Sequence, residues 1–195
     1  MGIQGEVLLA QMEQSGFARP AIWFGLIGAF LAAINNVVAT VGLGFAQAPV
    51  VAFTTPFAFC LARLGAPRLP AATLVYVPVV VVSFFTLNFG PPGFYKVGFL
   101  LGAVAYDAVC YLTGVGIRTS RPIPMWKFLL ANAFYPIGLL AAGLIAVSWV
   151  SVSIPILSRG LPGAIALVAV FVVIGSGATW LCHRVYPRLA PELSA

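Results

Sequence analysis

Residues 95–117 read YKVGFLLGAVAYDAVCYLTGVGI, and between Lys96 and the end of this stretch the sequence carries one charged residue, Asp107. An α-helix rises about 1.5 Å per residue, so a helix of this length crosses the roughly 30 Å hydrocarbon core of a bilayer. Few charges over such a length are typical of a membrane-spanning helix. The stretch therefore predicts a spanning helix with a single ionisable group inside it.

The composition of the whole chain agrees with this interpretation. Of its 195 residues, 62% are apolar and 7% are charged, and the mean hydropathy is +1.07. A soluble domain carries about a quarter charged residues. The apolar residues suffice for about six spans of about 20 residues each. These proportions exclude a water-soluble fold, a nucleic-acid-binding domain and a sizeable extramembrane catalytic domain.

Six apolar stretches follow one another along the chain, each bounded by glycine, proline or basic residues. We predict an all-α integral membrane protein with six transmembrane helices, and five or seven spans remain alternatives. The predicted spans are residues 21–42, 46–64, 70–89, 95–117, 125–150 and 160–183.

The basic residues predict the orientation of these spans. If the N-terminus is cytoplasmic, eight of the ten basic residues fall on the inner side, and Lys96 and Arg159 fall outside. This bias predicts that both termini are cytoplasmic in a multi-pass protein of the cell membrane. The predicted domains are a cytoplasmic amphipathic segment at 1–20, a six-helix membrane domain at 21–183 and a short cytoplasmic tail at 184–195.

Residues that could carry chemistry are few. The sequence lacks a GxxxxGK phosphate-binding loop, and four acidic residues do not provide for paired-carboxylate catalysis. Cys60, Cys110 and Cys182 have no CxxC spacing and are interpreted as packing residues. The single histidine, His183, does not make a metal site with Cys182 alone. We predict that the chain is not an enzyme and has no catalytic residue, cofactor or metal.

Asp107 is the one acidic residue within a predicted span, where an ionisable group costs at least about 2.5 kcal/mol. Its position in the span predicts a location near the bilayer midplane, so a partner must come from another helix. Candidate partners are Asn35, Asn36, Asn132 and Tyr135. Two interpretations stay open: Asp107 ties helices together or caps an irregular backbone, or it belongs to a substrate or proton site.

Small residues form two parallel rows on the first predicted helix. Gly25, Ala29 and Ala33 recur at intervals of four, and Gly28 and Ala32 lie beside them. Such rows let another helix approach closely, because packing drives helix association in lipid. They predict either a seam within the protein or a surface for a partner.

These features together resemble the substrate-binding S component of energy-coupling factor (ECF) transporters. The resemblance rests on six short spans, cytoplasmic ends, the Ala29–Ala33 row, and two phrases, PPGFYK at 91–96 and LLGAVAYD at 100–107. It covers the whole chain in architecture, but in residue pattern it covers the first and fourth spans.

The resemblance implies a function and partners. S components bind a vitamin or related micronutrient, and a transmembrane coupling protein with two cytoplasmic ATPase subunits energises them. It implies that the first helix docks onto the coupling protein through Gly25, Gly28, Ala29, Ala32 and Ala33. Family substrate sites lie towards the outer face, and we nominate polar and aromatic residues at that depth. They are Asn88, Tyr95, Lys96, Tyr106, Asp107 and Trp149.

Two other classes of function remain open. The chain could be a non-transporting scaffold subunit of a membrane complex, in which the small-residue rows hold larger partners. It could also be a small proton-coupled carrier using Asp107, which at this size would have to dimerise to enclose a pathway. An intramembrane enzyme is the weakest hypothesis, because the sequence shows no nucleophile–base pair.

Overall fold

The computed structural model describes residues 18–40, 44–85, 94–115, 123–149 and 160–194, and these ranges contain six α-helices and no β-strand. The predicted all-α fold class is confirmed. The helices are α1 (Ala18–Thr40), α2 (Gly44–Gly65), α3 (Ala71–Phe85), α4 (Phe94–Leu112), α5 (Met125–Trp149) and α6 (Leu161–Ser194). Residues 1–17 of the predicted amphipathic segment (1–20) lie outside the described residues, and residues 18–20 belong to α1.

Two helix ends differ markedly from the predicted ones. Helix α6 continues past residue 183, so most of the predicted tail at 184–195 is helical. Helix α4 ends at Leu112, before the predicted end at 117. There the amide of Gly114 donates to the Tyr111 carbonyl (2.9 Å) and the amide of Val115 donates to the Cys110 carbonyl (2.8 Å). This is a Schellman motif, and Gly114 supplies the left-handed φ of 77° that it requires.

The helices meet around an aromatic centre. Helix α4 packs most extensively against α5, α2 packs against α6, and α1 lies on α2 and α3. The ring of Phe59 on α2 contacts rings from three other helices in tilted or edge-on geometry. Its partners are Tyr106 at 5.3 Å, Tyr135 at 5.4 Å and Tyr76 at 5.9 Å between ring centroids. Such pairs are favourable beyond their buried area, so Phe59 holds α2 to α3, α4 and α5.

Two glycines permit the closest helix contacts of this centre. A Cβ added at Gly102 would lie 2.7 Å from the Tyr135 carbonyl oxygen, and one added at Gly175 would lie 2.6 Å from Asn132 Oδ1. Real Cβ atoms do not approach so closely. Gly102 therefore serves the seam between α4 and α5, and Gly175 serves the seam between α5 and α6.

Polarity is distributed in an unusual way between the inside and the outside. Large apolar side chains are exposed on every one of the six described helices, for example Phe30, Val77, Leu101, Leu130 and Val173. The described interior is mostly apolar, but it also holds five polar or charged side chains. These are Thr55, Arg63, Asp107, Asn132 and Thr179.

Helix length supports fewer spans than we predicted. Within the described residues, one segment is long and apolar enough to cross a membrane, Leu161–Pro187. In its most apolar part, 28% is buried in the protein. Shorter apolar segments are Ile22–Ile34, Pro49–Gly65, Ala71–Val82 and Phe99–Leu112. Six transmembrane spans are therefore not supported by length and composition. One reason is that the predicted fourth span included residues 113–117, which lie beyond the end of α4.

Candidate functional site

Asp107 on α4 caps the beginning of α3. Its Oδ2 accepts hydrogen bonds from the Thr73 amide (2.8 Å) and the Thr73 hydroxyl (2.8 Å), and its Oδ1 accepts one from the Ala72 amide (3.3 Å). These amides belong to the first turn of α3, where backbone donors have no partner within the helix. Pro70, which precedes the helix, has no side-chain acceptor. A carboxylate from a neighbouring helix therefore performs the role that a local N-cap residue performs elsewhere, and it also suits the helix dipole.

Arg63, near the end of α2, neutralises this carboxylate. Its Nη1 lies 3.5 Å from Asp107 Oδ1 and donates to the Leu69 carbonyl, and its Nη2 donates to the Val115 carbonyl at 3.1 Å. The Tyr111 ring covers the guanidinium at 4.2 Å. The Arg63 side chain is 0% exposed, and its Nε has no partner among the described residues. A buried charge requires this degree of pairing.

The local sequence explains why these groups converge. The Schellman motif at Gly114 turns the chain so that the Val115 carbonyl is available to Arg63. One turn earlier, the Tyr111 hydroxyl donates to the Arg68 carbonyl at 2.8 Å. The network thus ties together the end of α2, residues 66–70, the beginning of α3 and the end of α4.

This geometry corrects two expectations. Asp107 lies level with the first turn of α3 and the last turn of α2, near one end of the bundle, and not near its middle. Its partner is Arg63, whereas the predicted candidate Asn132 donates to the Val172 carbonyl at 3.4 Å. The side chain of Arg63, one of the eight basic residues predicted on the inner side, is buried. A basic residue at the end of an apolar helix ordinarily reaches the interface, so no local pattern indicated its contact with Asp107.

Of the other nominated substrate residues, the structure describes the side chain of Tyr106. It is fully buried, and its hydroxyl has no hydrogen-bond partner among the described residues. Asn88, and the side chains of Tyr95, Lys96 and Trp149, lie outside the described part of the chain, so their assignment stays a prediction. The side chains of the candidate partners Asn35 and Asn36 lie outside it as well.

Three further polar side chains, one each on α2, α5 and α6, lie in the described interior. They are Thr55, Asn132 and Thr179. Asn132 Oδ1 and the two threonine hydroxyls have no hydrogen-bond partner among the described residues. The signal available in the sequence was weak, because isolated threonines and asparagines occur in many membrane helices. Across the described residues, no three histidine, cysteine or acidic side chains are grouped to hold a metal.

The two small-residue rows of α1 have different surroundings. A Cβ added at Gly28 would lie 2.4 Å from the Val75 carbonyl oxygen of α3, and Ala32 is buried. Nothing lies within 4 Å of a Cβ added at Gly25, and Ala29 and Ala33 are exposed. One row is therefore a seam with α3, and the other faces outwards.

Comparisons of the chain with protein-family models, with curated proteins and with solved structures gave no match. The described residues form an all-helical protein, with one helix that is long and apolar enough to span a membrane.

Proposed function

We propose that this chain is a multi-pass membrane protein whose helical bundle lies in the bilayer. The observation that carries this proposal is the distribution of polarity, with Arg63 and Asp107 inside and large apolar side chains outside on every described helix. A soluble bundle hides its large apolar side chains and keeps charges in water. In lipid the preference reverses, because ionisable groups must face the protein interior and find partners there. Helices shorter than the bilayer core are accommodated by local thinning.

Within the membrane, we propose that the chain is the substrate-binding subunit of an ECF-type importer for a vitamin or related micronutrient. The choice of this class rests on the sequence resemblance. The structure supports one element of it, because Gly25, Ala29 and Ala33 form an outward surface on which a partner helix could pack closely. The partners would be a transmembrane coupling protein and two cytoplasmic ATPase subunits.

A second candidate function is a non-transporting scaffold subunit. It is favoured by the bonding of Asp107, whose two oxygens are engaged by three donors and by Arg63. A proton-coupled carrier needs a carboxylate that exchanges its partners during transport, and a residue committed to capping α3 is poorly suited to that role. The same outward row of α1 serves a scaffold equally well.

The experiment that tests the proposal is purification of the tagged full-length chain from its native membrane, with bound proteins identified by mass spectrometry. Ala29→Trp should abolish recovery of the partners, because an indole prevents close helix contact. Val77→Trp on the exposed face of α3 is the matched control and should retain them. ATPase subunits together with a membrane protein support the importer, and a membrane partner without ATPases supports the scaffold. If Ala29→Trp retains its partners as Val77→Trp does, docking through this row is contradicted.

A further inference from the structure

Two tryptophan–cation pairs lie on neighbouring helices. The Nζ of Lys127 is 5.9 Å from the centroid of the Trp126 ring on α5, and the guanidinium carbon of Arg184 is 4.7 Å from that of Trp180 on α6. Both indoles are well exposed, Trp126 at 55% and Trp180 at 44%. An indole beneath a cation restrains it, so both positive charges are held at the surface.

The contact between α5 and α6 brings the two pairs together. His183 Nε2 lies 2.9 Å from the Ile123 carbonyl oxygen, and the His183 ring is 6.1 Å from that of Phe128. Lys127 directly precedes Phe128, and Arg184 directly follows His183. Each pair is therefore within one helical turn of this contact.

Both pairs belong to the end of the bundle that holds Arg63. A Cβ added at Gly65, the last residue of α2, would lie 4.0 Å from the Tyr186 hydroxyl on α6. Among the described side chains, no carboxylate pairs with Lys127 or Arg184, since Asp107 pairs with Arg63. Within the described part of the chain, two restrained cations without an anionic partner thus lie at one end of the bundle.

An apolar stripe leads away from these cations along α5. Trp126, Leu130, Phe134 and Ile137 are all exposed and recur at intervals of three or four, which places them on one face of the helix. A ligand that fits both features has an anionic head and a long apolar tail.

We propose that Lys127 and Arg184 bind the phosphate headgroup of an anionic phospholipid, whose acyl chain lies along the stripe of α5. This inference rests on the proposed location in a bilayer. Indoles favour the level of the headgroups, and long basic side chains direct their charge to the same level. A zwitterionic lipid lacks the net charge that these cations attract, so the site discriminates by headgroup.

The test is titration of the detergent-purified full-length chain with phosphatidylglycerol, with bound lipid counted by native mass spectrometry. Replacement of both cations, Lys127→Gln with Arg184→Gln, should weaken binding at least about tenfold, given the attraction of each basic residue to an anionic surface. Arg68→Gln is the matched control, because Arg68 is exposed and has no tryptophan partner in the described structure. It should bind within about twofold of the unmodified chain. The conservative variant Lys127→Arg should also bind normally.

Three results would overturn the proposal. Equal binding of phosphatidylcholine would show that charge is not recognised, and competition by millimolar inorganic phosphate would indicate a site for a free anion. An equal loss in Arg68→Gln would indicate diffuse charge attraction.

Alkaline carbonate extraction of native membranes separates the proposal of lipid binding from the proposal that the bundle lies in the membrane. A chain that resists extraction but ignores phosphatidylglycerol refutes lipid recognition alone, whereas a chain that is extracted refutes the membrane location.

Discussion

The Arg63–Asp107 network and the outer face of α1 are opposites in composition and surroundings. The network is charged, buried and formed by residues of three helices. The outer row is uncharged: Ala29 and Ala33 are exposed, and no atom lies within 4 Å of a Cβ added at Gly25. In water the free energies of solvation would favour the reverse arrangement. This contrast supports our proposal that the bundle lies in an apolar solvent, where a charge is tolerated if the protein pairs it.

The largest expected effect comes from breaking the network. Arg63→Leu removes the charge that neutralises Asp107 and the donor to the Leu69 and Val115 carbonyls. We expect the free energy of unfolding to fall by about 3–5 kcal/mol, the usual cost of leaving a buried charge unpaired. Denaturant unfolding of the detergent-purified chain, followed by circular dichroism, measures it. Arg68→Leu, an exposed position nearby, should change stability little, and equal losses in both variants would refute the network's role.

A smaller effect is expected from neutralising the carboxylate. Asp107→Asn keeps an acceptor for Thr73 but leaves Arg63 without an anion, and we expect a loss of about 2–3 kcal/mol. Thr73→Val removes one of the hydrogen bonds to Asp107 and should cost about 1 kcal/mol. The same unfolding assay compares the two. An Asn variant of normal stability with impaired uptake of a substrate would instead make Asp107 a binding residue.

Alanine substitutions in the two rows of α1 should change the stability of the protein in opposite directions. Gly28→Ala introduces a Cβ against the Val75 carbonyl and should destabilise the protein by about 2 kcal/mol. Gly25→Ala meets no atom within 4 Å and should stabilise α1 by up to about 1 kcal/mol, because alanine favours the helix. Thermal unfolding in detergent measures both, and equal shifts would show that the two rows do not differ in their surroundings.

The sequence predicted the helices better than the contacts between them. Hydropathy and the glycine and proline boundaries located all six helices of the described chain, because these signals are local. The end of α4 was missed because Thr113 and Gly114 continue an apolar stretch, and the left-handed turn at Gly114 stops the helix there. The pairing of Arg63 with Asp107 joins residues far apart in the chain, so no local pattern contains it. For the same reason the two rows of α1, alike in spacing, could not be distinguished.

We propose that lipid surrounds α1 to α5 as well as α6. The most direct test of this proposal is the accessibility of nitroxide spin labels in reconstituted vesicles, on chains whose native cysteines have been replaced. Labels at the exposed positions Phe30, Val77, Leu130 and Val173 sample four of the six helices. We predict that all four relax readily with dissolved oxygen and weakly with a water-soluble nickel chelate, because oxygen concentrates in hydrocarbon. Strong relaxation by the nickel chelate at Phe30, Val77 and Leu130, with Val173 alone protected, would contradict the multi-pass bundle.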